Sequence, residues 1–234
     1  MLVVRWYERQ DRSPDIVTRW LAAAAEHLPE AVPRRFDDTE PLRGRFDCDG
    51  EAGLARAYAD ASPLLFLAGT PPVYHASFTA GAPRRRDSTA VHALQVELGA
   101  DDERVRWFAL ALTHPDTTYV SASIAGDMAL DGRTLYGPAV RPEEPYLAPR
   151  GDWLGLPPTP PAWCWFGPAY ARLVRRQINA EPVAGGLLYT GGPWVGEAVR
   201  ARLSEVDPGR RPALRMPAAP HRSALLRLLR GFGR

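Results

Sequence analysis

The sequence predicts an α+β fold, a mixed and largely antiparallel sheet with helices packed on it. Three observations carry that expectation. Short apolar or alternating runs outnumber helical ones. Three of those runs, at 64–68, 73–79 and 88–98, follow one another across turn signals at Pro71-Pro72 and Gly81-Ala82-Pro83, the pattern of an antiparallel meander. Helical periods intermix with the strands along the whole chain.

Taken in order, residues 2–8 alternate, with Leu2, Val4 and Trp6 to one side and Arg5 and Tyr7 to the other, as a strand does. A helix follows: Ser13 is placed as its N-cap, Pro14 as its first residue, and Ile16, Val17, Trp20, Leu21, Ala24 and Leu28 recur at helical spacing until Pro29. That apolar stripe needs a surface to pack on, most simply a sheet. Residues 30–50 are polar and broken by prolines, and read as a loop. Residues 49–62 read as a short helix capped by Asp49, ahead of the three meander strands. Asp101 is placed to cap a helix running to about His114, with Val105, Phe108 and Leu112 inward and Pro115 ending it. Residues 117–127 return to strand. Prolines and glycines exclude long regular elements from 128–162. Gly167-Pro168 opens a helix to about Ile178, 182–190 is a strand and 195–206 a helix. The 234 residues, 45% hydrophobic, suit one α+β domain over 1–216. Residues 217–234 form a basic amphipathic tail, with leucines at 225, 226, 228 and 229.

Charge excludes some functions. The 29 cationic residues, all arginine, oppose 27 acidic ones for a net charge of +2, so no field draws the chain to nucleic acid or membrane. Arginine in place of every lysine, beside 24 prolines, reads as GC-rich coding more than as phosphate binding. No run approaches the ~20 apolar residues of a membrane span, and the first ten residues lack a secretory signal, so a cytoplasmic protein is expected. Cys48 and Cys164 lie far apart without CxxC spacing, which supports neither disulfide nor zinc site.

The five histidines give little catalytic signal. His92 shares a strand face with Ala90, Leu94 and Val96, the setting of a core histidine; His75 sits on a neighbouring strand, so His75 and His92 are the pair to inspect for a metal. His27 and His114 stand near helix C-termini, where positive charge suits the dipole. A Cys164–His couple has no supporting motif, and neither G-x-S-x-G, H-E-x-x-H, Walker A nor G-x-G-x-x-G is present. No catalytic residue, metal ligand or cofactor is assigned. Acidic residues cluster at Asp37, Asp38 and Glu40, and again at Asp47, Asp49 and Glu51. A calcium loop fails on spacing, because the twelfth position from Asp47 is Tyr58. The cluster is either a solvated loop or an acidic patch that meets a basic partner.

The segment "PPAWCWFGPAY" (160–170) is the densest aromatic stretch. In an extended chain Trp163 and Trp165 share one face, with Cys164 and Phe166 on the other, so the indoles either fill a core corner or anchor a partner. The stretch "PRRFDDTEPL", the run "LGLPPTPPAWCWFGPAY" and the closing strand and helix together resemble the immunity protein 52 type family of bacterial polymorphic toxin systems. The resemblance implies an α+β protein without catalytic residues that binds and neutralises a cognate toxin, often a nuclease. The expected contact surface is acidic and aromatic, formed by Asp37, Asp38, Glu40, Trp163 and Trp165. The alternatives are an enzyme with a site near His75, His92 or Cys164, and a structural subunit of a larger assembly.

Overall fold

Strand β1 (Leu2–Arg9) is the middle of the protein, since its residues Leu2, Val3, Val4, Trp6, Tyr7 and Glu8 are buried on both sides of the strand. The computed structural model describes residues 1–9, 15–81, 89–124, 129–131, 134–136, 160–176 and 178–194. The expected cap at Ser13-Pro14, the helix at 195–206 and the tail 217–234 lie outside these residues. β1 is followed by helix α1 (Ile16–His27), a 3-10 turn at Pro29–Ala31, and strands β2 (Arg35–Asp37) and β3 (Gly44–Arg45). Helix α2 (Phe46–Asp60) precedes the meander β4 (Leu64–Ala68), β5 (Val73–Thr79) and β6 (Thr89–Val96). Helix α3 (Glu103–Ala111), strand β7 (Thr117–Ile124), a ribbon of β8 (Ala129–Asp131) and β9 (Thr134–Tyr136), strand β10 (Trp163–Phe166), helix α4 (Pro168–Val174) and strands β11 (Glu181–Val183) and β12 (Gly186–Tyr189) complete the chain.

Ten strands form one sheet in the order β11-β12-β10-β7-β1-β6-β5-β4-β2-β3, each neighbour antiparallel. The expected α+β class and meander are therefore present. On one face α1, α2 and α3 bury Ile16, Trp20, Leu54, Val105 and Phe108 against Leu2, Val4, Trp6, Leu94 and Phe78. Edge-to-face rings knit this core: Trp20 lies 4.9 Å from Phe108 and 5.0 Å from Phe78. On the opposite face α4 packs over Tyr7, Tyr119, Cys164, Phe166 and Tyr189.

Several expectations are corrected. Residues 30–50 are not a plain loop: they carry β2 and β3, which close one edge of the sheet. α2 starts at Phe46 rather than 49 and kinks at Gly50, whose φ of 60° glycine accepts without a Cβ clash. Asp49 caps no second helix; its carboxylate accepts the Arg45 N–H at 2.9 Å. Asp102, not Asp101, caps α3, accepting the Arg104 N–H at 2.9 Å. The single strand at 182–190 is a hairpin, β11 and β12, turning at Ala184-Gly185 with φ of 48° and 73°, the mirror-image turn that matches strand twist.

Candidate functional site

The acidic residues sit on the β2–β3 hairpin, at the sheet edge. Asp38 and Glu40 are exposed and Asp37 half-buried. The turn is braced from within: the Asp37 carboxylate accepts the Asp38 N–H at 2.9 Å and the Arg43 N–H at 3.1 Å, and Arg35 donates to the Leu42 carbonyl at 3.2 Å. Slight burial opposes the Asp37 charge, but those two backbone donors outweigh it and hold its pKa below the ordinary carboxylate value. Beside it, Arg45 forks onto Asp47 at 2.7 and 3.2 Å and lowers the Asp47 pKa. The surface is not purely acidic. Over residues 34–51, six carboxylates stand among four arginines.

The tryptophans are elsewhere. β10 and β2 are six strands apart in the sheet, roughly 29 Å at the usual strand spacing, so the expected joint surface of Asp37, Asp38, Glu40, Trp163 and Trp165 does not form. Trp163 and Trp165 do share a face, and it is the helical one: each is 1% exposed and packed in the main core. The Trp165 Nε1 donates to the Val183 carbonyl at 2.8 Å, whereas the buried Trp163 Nε1 has no acceptor. The glycines around them serve close approach. A Cβ on Gly167 would lie 2.1 Å from the Thr117 carbonyl oxygen, and one on Gly186 2.2 Å from that of Phe166 and 2.5 Å from the Trp165 ring. The aromatic run is thus a strand pressed between neighbours so tightly that glycine is needed on either side.

The histidine pair does not meet. Tyr74 forms a bulge in β5, where pairing shifts between Val73 and His75. The shift places His75 opposite Gln95 and so on the face away from α1, α2 and α3, against Phe66 at 5.6 Å. His92 lies on the helical face, against Phe78 at 5.5 Å. Burial lowers the His75 pKa, with Glu40 opposing. Cys164 is enclosed by Tyr7, Tyr119 and Tyr189 on the face away from His92. Among the described residues no group of three or more His, Cys, Asp or Glu is placed to hold a metal ion.

What the sequence reading missed is a buried polar cluster at the end of β1. Glu8, 1% exposed, receives Arg19 at 3.0 and 2.8 Å and the Thr117 hydroxyl at 2.8 Å. Arg19 also donates to Asp15 and to the Leu112 carbonyl. Burial works against the Arg19 charge, yet Glu8 and Asp15 more than offset it and raise its pKa. His92 Nε2 stands 3.9 Å from Glu8, and neither ring nitrogen has a hydrogen-bond partner. Burial pushes the His92 pKa down to about 4, against the pull of Glu8 and with repulsion from Arg19. Burial, with the Glu8 charge, pushes the Tyr58 phenol up to about 12. The cluster pins α1 to β1 and β7. Its signal was legible: Glu8 continues the Leu2, Val4, Trp6 phase, so a carboxylate was due inside the core and had to be paired.

No known protein-family model matches the chain, and no curated protein is significantly similar to it.

Proposed function

We propose that the protein is a non-enzymatic binding protein that neutralises a cognate bacterial toxin, as the resemblance to the immunity protein 52 type family implies. The observation that supports this reading best is the β2–β3 hairpin: exposed Asp38 and Glu40 carried on a turn already fixed by its own hydrogen bonds. A turn ordered before contact loses little entropy on binding, so charge complementarity is retained as affinity. The acidic excess at that edge suits a basic partner. A nuclease is such a partner, because it must carry cationic groups to hold phosphates. Trp163 and Trp165 take no part in the contact and support the hairpin only by holding the sheet together. Among the described residues no helix is long and apolar enough to cross a membrane, which suits a partner met away from the bilayer.

The test is calorimetric titration of the full chain with the proposed cognate toxin, sought as the product of a neighbouring gene, at low and high salt. Tight binding that weakens as salt rises, with no turnover of ester, phosphate or peptide substrates, supports the reading. Absence of binding at low salt refutes it.

A further inference from the structure

We propose that the face of the sheet away from α1, α2 and α3 carries, around Arg5, Ser121 and Ser123, a buried binding site for an oxyanion, a carboxylate or a phosphate. Register places these residues together. Arg5 on β1 pairs with Ser121 on β7 and with Ala93 on β6; Ser121 pairs in turn with Cys164 on β10, and Ala93 with Ser77 on β5. Directly opposed residues of antiparallel strands share a face with Cβ atoms about 4.5–5.5 Å apart. A row therefore crosses the sheet as Ser77, Ala93, Arg5, Ser121 and Cys164, and Arg5 is its charged member. Ser123, opposite Val3, stands one step along β7 on the same face, within reach of a long side chain. Cys164 belongs to the cluster beneath α4, which fixes the row on the face away from α1, α2 and α3.

Small residues alone do not make a site. The second observation is that Ser121 is 0% exposed and its Oγ, like the buried Oγ of Ser123, has no hydrogen-bond partner. Buried polar groups are as a rule satisfied, so two idle hydroxyls side by side call for a reason. A ligand between them and Arg5 supplies one. Two hydroxyl donors and a guanidinium, which carries five N–H donors in a planar fork, match the several acceptors of an oxyanion, and Arg5 has donors enough to serve it alongside the contacts it already makes. A cation is opposed by the Arg5 charge, and an apolar ligand would leave the hydroxyls idle. Arg5 itself and its neighbours Ser77, Ala93 and Gln95 towards β5 and β6 are half-buried, so the cationic end of the row is the part nearest solvent.

The experiment is a titration of the full-length chain with inorganic phosphate and, separately, with acetate in chloride buffer, followed by amide NMR. Saturable shifts centred on Arg5, Ser121 and Ser123 are expected. Arg5→Gln weakens the response roughly tenfold to hundredfold, the range for losing a charge-assisted hydrogen bond. Arg5→Lys retains charge without the fork and falls between. Ser121→Ala with Ser123→Ala weakens it while leaving the melting temperature unchanged or higher, because idle buried hydroxyls have been removed. A stronger response to phosphate or to acetate identifies the source of the oxyanion. No saturable shift at these residues with either anion, or an unchanged response in Arg5→Gln, overturns the proposal. Toxin binding is measured separately, so either reading can fail alone.

Discussion

Replacing Trp163 and Trp165 one at a time, first with alanine and then with phenylalanine, separates packing from hydrogen bonding in the aromatic strand. Both indoles are 1% exposed, so each alanine variant deletes a large buried ring and is expected to lose about 3–5 kcal/mol. For a chain of this size that is a fall in melting temperature of roughly 6–20 °C. The phenylalanine variants should differ from one another. Trp165→Phe withdraws the donor from the Val183 carbonyl and empties part of the space over Gly186. Trp163→Phe removes an N–H that is buried without an acceptor, and its desolvation burden of about 1–3 kcal/mol goes with it. Trp165→Phe is therefore expected to be the less stable of the two by about 1 kcal/mol or more. Urea unfolding with a shared m-value measures the difference. A larger loss in Trp163→Phe would refute the hydrogen-bond assignment, and an alanine variant with an unchanged midpoint would refute the burial.

The polar cluster gives two further predictions. The unfolded His92 takes a proton near 6.5 while the buried one waits until about 4, so the unfolded state binds more protons between those values and stability falls as pH drops through that window. The loss amounts to about 3 kcal/mol, and acid titration of His92→Leu should show a shallower decline over the same range; an identical pH profile would contradict the assignment. Glu8→Gln leaves the Arg19 charge buried against a neutral amide and should lose about 3 kcal/mol at neutral pH, seen as a lower urea midpoint, while a loss below about 1 kcal/mol would show that the pair is not desolvated.

The elements most legible in the sequence were those with local signals. β4 and β5 fall at 64–68 and 73–79 as expected, because apolar runs there are bounded by paired prolines and a glycine turn. β2 and β3 were not legible: three and two residues long, with Phe36 their one large apolar side chain, they are strands through pairing with β4 and with each other. The His75 bulge illustrates the same limit from the other side. One extra residue at Tyr74 reverses the strand's parity, and nothing in the local pattern announces it. Of the candidate surface, the acidic turn is legible as a run of carboxylates, whereas the placing of Arg35 and Arg45 beside it follows only from the hairpin. Phase alone tells that Trp163 and Trp165 share a face; it does not tell that this face belongs to the main core. Glu8 is readable from phase, a carboxylate on an apolar stripe, but its partners Arg19 and Thr117 come from other elements and carry no local signal.

The most direct test of the account reverses charge on the hairpin. The chain carrying Asp38→Arg and Glu40→Arg is co-expressed with the proposed cognate toxin, and cell survival is scored against the unaltered chain and against Trp165→Phe. Both altered carboxylates are exposed, and Asp37, which braces the turn, is retained, so the melting temperature should hold. The account predicts that protection is lost in the charge-reversed protein and kept in Trp165→Phe at permissive temperature. Full protection by the charge-reversed protein, folded and equally abundant, would contradict it.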